Sequence, residues 1–290
     1  MTSSRPQVID IFPYLDEELP LLARFDQLSP VIDRFIGIEA NFTHSGLGKP
    51  YQLRRHIETL GLPLEKFQVI EVRIPEELSA FGKDAFQRDF ARDYVLRNFS
   101  GQTVVLFGDV DEVPSRDAVL RAMTHIGDDG IDFIHFAQEM CVGYFNNCEV
   151  TGRLLSYLGE YEGFEGKRRK WLGTTMTSIN SLEKLSLSDL RSPDRKDLGM
   201  RLDNGGWHFS YSGGSVSAPV VDRIVTKLKA SAHQEFSHLA KPSLISKRLS
   251  RGKDLLGRRF VKFRLMDPSS FLPVEIVSDA RFEQVIAGRK

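Results

Sequence analysis

Cysteine is scarce in this chain of 290 residues, with only Cys141 and Cys148 present. Two thiols seven apart form no disulfide framework and match no metal-finger spacing, so free thiols are expected. There is no excess of either charge: 39 Lys and Arg balance 39 Asp and Glu. Such a chain carries no global field for nucleic acid, and no nucleic-acid partner is expected. No apolar run approaches the length of a membrane span, and the opening MTSSRPQVIDIFPY lacks a signal-peptide core. These absences together give the expectation of a soluble, cytoplasmic protein. Internal repeats and low-complexity linkers are missing too. No Gly-rich phosphate fingerprint follows the first strand-like segment, which argues against a dinucleotide enzyme or a P-loop NTPase.

The remaining composition is that of an ordinary globular protein, 41% hydrophobic and 27% charged, and a single domain over 1–290 is expected. Val8–Phe12 reads as a strand, Leu19–Leu28 as a helix, and Val31–Glu39 and Phe67–Ile74 as further strands. Asp84–Phe99 has helical spacing, with Phe86, Phe90, Tyr94 and Val95 on one side. A strand then begins at Thr103. This order predicts an α/β protein with a Rossmann-like, mostly parallel central sheet flanked by helices. A helix at Arg116–Met123 and a strand at Ile131–Ala137 follow. The chain then turns aromatic, Gly-rich and irregular to about Ser217, before helical patterns at Ala218–Ser231 and through much of the tail. Between Lys241 and Arg264 nine Lys and Arg accompany one acid, Asp254. That patch suits phosphates, peripheral contact with an anionic membrane, or simple solvation of a helix face.

Thr103–Pro114, TVVLFGDVDEVP, is the most informative stretch. Val104–Phe107 has the continuous apolar character of a strand covered on both faces. Asp109, Asp111 and Glu112 follow at its carboxyl end, where ligands bind in open α/β sheets. Strand geometry would aim Asp109 and Asp111 the same way, and paired hard oxygens suit Mg²⁺ or Mn²⁺. An acidic turn after a core strand is the plainer reading of this motif by itself. A second unusual stretch, Asp203–Tyr211, combines Gly205 and Gly206 with Trp207, which can lie against a sugar face. It also supplies His208, whose neutral imidazole can ligate a metal. Taken singly, a core Trp, a hydrogen-bonded His and the surface acid Glu235 are equally ordinary.

In order along the chain, Ile9–Pro13, Ile38–His44 with Gly48–Pro50, Phe86–Asp89, Gly108–Pro114, Gly205–Tyr211, Ala232–Phe236 and Gly252–Arg258 resemble the pattern of the family 17 glycosyltransferases. The resemblance runs from about residue 8 to about residue 258. It implies a GT-A-type fold, with a nucleotide-sugar-binding half over about 8–115, an irregular acceptor and catalytic half over about 116–240, and a basic C-terminal extension over 241–290. It further implies a UDP-sugar donor (UDP-N-acetylglucosamine in the family's known activity), bound Mn²⁺ or Mg²⁺, and inversion to a β-linkage on a glycan hydroxyl. Lacking an anchor-like segment, the chain suits a polysaccharide or lipid-linked glycan better than an N-glycan, with an oligosaccharide acceptor equally open.

On that resemblance Asp109 and Asp111 would hold the metal against the diphosphate, with His208 as a further ligand. Glu39 would accept hydrogen bonds from ribose or uracil, and Asp10 and Phe12 would help hold the base. Arg88 would meet phosphate, or else form a helix ion pair with Asp84. For the base that deprotonates the acceptor, Asp203 comes first by position, then Glu235, then Glu112. Trp207 would wall a sugar. The run Lys167–Trp171 would contact an anionic acceptor or form a plain loop. Two other readings share these residues: a non-catalytic carbohydrate-binding protein with a structural metal, and a metal-dependent phospho- or nucleotidyltransferase. The Trp207 block argues against the second, and the parallel-sheet half against the first.

Overall fold

The alternation of β1 (Gln7–Tyr14) sends Val8 and Phe12 into one apolar cluster and Ile9 and Ile11 into another, one on each face of the sheet. The structure is a computed structural model that describes residues 5–43, 45–127, 130–151, 160–161, 168–191, 199–231 and 233–288. After β1 come α1 (Glu18–Leu28), β2 (Arg34–Ala40), α2 (Leu53–Thr59), β3 (Phe67–Val72), α3 (Ala80–Asn98) and β4 (Thr103–Phe107). Parallel pairings set β1 between β2 and β4, with β3 outside β2. Helices α1 and α2 cover one face through Leu21, Leu22, Leu53 and Ile57. Helix α3 covers the other through Ala91 and Val95. It starts at Ala80, four residues before the sequence pattern does, because Ser79 caps it by accepting from the Gly82 amide.

Beyond β4 lie β5 (Glu112–Pro114), α4 (Arg116–Met123), β6 (Phe133–Val142) and β7 (Asn147–Glu149). The backbone of β8 (Glu160–Tyr161) and β9 (Arg168–Arg169) makes a separate ribbon. Then come β10 (Trp171–Ser178), α5 (Ile179–Leu182), α6 (Leu187–Arg191), β11 (Met200–Leu202), β12 (Gly206–Ser210), α7 (Val220–Ala230), α8 (Pro242–Leu249) and β13 (Phe263–Leu265). Strand β10 inserts antiparallel between β4 and β6, giving the order β13-β7-β6-β10-β4-β1-β2-β3. Strands β11 and β12 join β6 in parallel, and β12 pairs antiparallel with β5. The expected α/β architecture, a central sheet flanked by helices, is present. Its parallel character belongs to the N-terminal half, and the second half adds a mixed set of strands to the same sheet.

The basic tail is helical in part, at α8 and in short helices at Pro268–Phe271 and Val274–Ser278, with edge strand β13 between them. Helix α8 ends at Leu249, and Gly252 and Gly257 have φ of 57° and 85°. Those left-handed positions end the helix and turn the chain back as edge strand β13. Among the described residues, no helix is long and apolar enough to cross a membrane.

Candidate active site

Strand β4 delivers Gly108 to the sheet edge, where a Cβ would fall 2.7 Å from Thr174 Oγ1. The chain therefore turns at once, closed by the Glu112 amide donating to the Asp109 carbonyl. Asp109 and Asp111 thus sit in a turn, outside strand alternation, and their carboxylates meet different partners. Asp109 is held by two guanidinium groups, Arg88 Nη1 at 2.8 Å and Arg191 Nη2 at 2.9 Å. Those cations hold its carboxyl far below the usual range despite burial. Glu112 is wholly buried and accepts from the Asp109 amide, from Trp171 Nε1 at 2.6 Å and from Arg191 at 2.5 Å.

Asp111 is different. Its carbonyl accepts from the Phe209 amide, which ties the turn to β12. Its carboxylate is buried, and its nearest cationic partners among the described residues are His208 Nε2 at 3.6 Å and Lys227 Nζ at 3.8 Å. Burial pushes this carboxyl up, against the pull of Lys227 and His208. Lys227 lies closer to Glu17, at 2.7 Å, and the neighbouring carboxylates hold its ammonium well above the ordinary lysine range. His208 carries a buried Nδ1 with no hydrogen-bond partner, and its ring lies 4.9 Å from that of Trp171.

Of these groups Arg88, Asp109, Asp111, Glu17 and Lys227 border a cavity of about 250 Å³ between the carboxyl ends of β1 and β2, helix α3 and helix α7, and His208, Glu112, Trp171 and Arg191 stand behind that lining. Four acids line it, Glu17, Asp84, Asp109 and Asp111, against two permanent cations, Arg88 and Lys227. The imbalance favours a bound cation. Among the described residues no cluster of three or more His, Cys, Asp or Glu is arranged around a metal position. Asp111 and His208 nevertheless fit as two ligands of an ion that takes the rest from phosphate and water, and a mixed oxygen and imidazole pair suits Mn²⁺ better than Mg²⁺. Asp109 does not fit as a third, since guanidinium groups hold both its oxygens.

Several residues singled out from sequence stand elsewhere. Asp10, fully buried, forms a two-pronged ion pair with Arg24 at 2.6 and 2.7 Å. Arg24 also donates to the carbonyls of Asp109 and Glu112, so this pair props the acidic turn from beneath and leaves no contact for a base. Phe12 is buried beside Arg24. Glu39 accepts from the Gln52 and Leu53 amides at the start of α2 and from Lys49, so it is spent as a helix anchor. Trp207 is 5% exposed and donates its indole N–H to the Phe271 carbonyl. It packs in the core and does not wall the cavity. Trp171 is the aromatic beside the carboxylates.

Of the three proposed bases, Glu112 is tied as described. Glu235 is exposed and paired with His233. Asp203 lies between β11 and β12, outside the cavity lining, and keeps a buried Oδ1 without a partner. Arg88 lines the cavity and pairs with both Asp84 and Asp109. In the run Lys167–Trp171, Lys167 lies outside the described residues, as do His44 and Ala232. Lys170 is buried against Glu139.

Sequence reasoning missed Glu17, Arg24, Arg191 and Lys227, and named Trp171 only as the aromatic of a cationic run. Two of these left a signal. Arg24 falls three residues after Leu21 and four before Leu28, and Lys227 three after Ile224, each on the apolar face of its helix. A cation there is buried only with a partner. Glu17 and Arg191 left none.

The model of glycosyltransferase family 17 matches residues 1–263. The chain belongs to that family. It is 26% identical over 214 residues to the beta-1,4-mannosyl-glycoprotein 4-beta-N-acetylglucosaminyltransferases of Rattus norvegicus and Homo sapiens. The match covers 68% of this chain and 39% of each relative. Among solved structures, residues 1–349 of S. aureus TarS are similar at a TM-score of 0.40 and 12% identity, over 84% of this chain and 72% of that one. Glucosyl-3-phosphoglycerate synthase of Mycobacterium tuberculosis, solved with Mn²⁺ and UDP-glucose, is similar at 0.40 and 14% identity, over 70% of each chain.

Proposed function

We propose that this glycosyltransferase moves N-acetylglucosamine from its UDP-sugar to a glycan hydroxyl, with inversion to a β-linkage and a divalent metal at Asp111 and His208. The observation that carries the reading is Asp111, a buried carboxylate at the cavity floor, with the imidazole of His208 at 3.6 Å and the Lys227 ammonium standing off at 3.8 Å. The neighbouring Asp109 and Glu112 are closely neutralised. The curated relatives' name supports the sugar.

A metal bound there would neutralise charge gathering on the departing diphosphate. Arg88 and Lys227 face the same cavity and add fixed positive charge. Arg191 and Arg24 hold the acidic turn rigid, so that Asp111 does not reorganise.

The test is UDP release from a panel of UDP-sugars with Mn²⁺ or EDTA, comparing wild type with Asp111→Ala and pairing it with UDP-binding calorimetry. Metal-dependent release from UDP-N-acetylglucosamine that Asp111→Ala abolishes is the expected result. No UDP binding in the presence of metal would overturn the reading.

A further inference from the structure

We infer that the turn between α8 and β13 is a docking surface for an anionic lipid bilayer, with Phe260 as its inserted side chain. The inference stands apart from glycosyl transfer and rests on different residues.

Lys253 and Lys262 face each other across an antiparallel bridge, and the Phe263 amide donates to the Gly252 carbonyl beside them. Like charges placed directly opposite destabilise such a pair. Among the described residues neither lysine has a carboxylate partner, and Asp254, the sole acid between Lys241 and Arg264, is buried and already bound by Arg258 at 2.7 Å. Lys247, Arg251, Lys253, Arg259 and Lys262 are all exposed, and none has a side-chain ion pair or hydrogen bond among the described residues. Four of these cations on the turn, with Lys247 in the last turn of α8, therefore await a multivalent anion.

The apolar groups narrow the choice of anion. Phe260, next to Arg259, is 68% exposed, and Leu265 at the end of β13 is 53% exposed. Leu249, Phe263 and Leu265 line an adjoining cavity of about 370 Å³. A soluble polyanion would use the cations and leave this apolar surface in water. A bilayer with anionic headgroups satisfies both, as basic segments with aromatic wedges do at membrane interfaces.

The test is co-sedimentation of the full chain with phosphatidylcholine vesicles and with vesicles that also contain phosphatidylglycerol. Binding is expected only with phosphatidylglycerol present. The Arg259→Glu, Lys262→Glu double variant is expected to lose at least about 25-fold, at about fivefold per cation removed. Phe260→Ser is expected to lose about tenfold from the burial of its ring alone. Unchanged melting temperature and UDP binding in these variants separate docking from folding and from the donor site. Phe260→Trp supplies a second readout, a blue-shifted emission on adding anionic vesicles. Absence of binding, binding to neutral vesicles alone, or full binding by the charge-reversed protein overturns the inference. Phe260→Ser binding as well as wild type also overturns it and marks the patch as a site for a soluble polyanion.

Discussion

His208 Nε2 stands 3.6 Å from Asp111 Oδ1, while Asp109, two residues earlier, is clamped by Arg88 and Arg191. The two aspartates of one motif therefore do different work. Asp109 organises cations, and Asp111 is left to meet a ligand.

That division predicts opposite effects of two conservative changes. Asp111→Asn removes a desolvated carboxylate, so the melting temperature holds or rises while Mn²⁺-dependent UDP affinity falls by at least about tenfold. Asp109→Asn lowers the melting temperature, because Arg191 and Arg88 lose a shared anion. Calorimetry and thermal unfolding of both variants, with and without Mn²⁺, check this.

The Asp10–Arg24 pair is structural, with both side chains wholly buried. Asp10→Asn leaves a buried guanidinium short of its anion and is expected to cost about 3 kcal/mol or more. The affinity for UDP of the fraction that remains folded is expected to change little beside the effect of Asp111→Asn. Urea unfolding followed by UDP titration separates the two.

The two tryptophans are expected to part company. Trp207→Ala opens a core cavity and is expected to cost about 3–5 kcal/mol in urea unfolding. Trp171→Phe keeps a ring but deletes the hydrogen bond to Glu112, so it lowers turnover several-fold with only a small loss of stability. The converse pattern would return Trp207 to the site.

Asp26 supplies a pH test away from the cavity. Burial, aided by Asp279 and Glu275 and opposed by Arg281, pushes its carboxyl up to about 6. The folded state then holds this proton more tightly than the unfolded one, so the group's unfavourable effect appears as pH rises from about 4 to about 6 and is full above that. Asp26→Asn is expected to raise the melting temperature at pH 7.5 and leave it unchanged at pH 3.5. Because the side chain is partly exposed, the gain is at most about 1–2 kcal/mol.

Much of the fold was legible in the sequence because strands and helices announce themselves locally. The apolar run Val104–Phe107 became a buried strand, and Arg116–Met123 became a helix at the bounds its spacing gives. The tail was less legible, since Gly252 and Gly257 at positive φ override a helical pattern. The aromatic choice failed for a related reason. Trp207 follows Gly206 and Trp171 stands two residues before Gly173, and only the pairing of β12 with β5 and β6 shows that Trp207 packs inward against Phe271.

By itself the sequence determined the family, the β-α alternation of the N-terminal half and the acidic turn at a sheet edge, because each is written in neighbouring residues. The tertiary structure decided which carboxylate remains open to a ligand. Arg191 reaches Asp109 from 82 residues away, while Lys227 on α7 turns to Glu17 and stops short of Asp111. Whether a carboxylate binds a metal or an arginine depends on the charges that folding places around it, and local sequence does not carry that information.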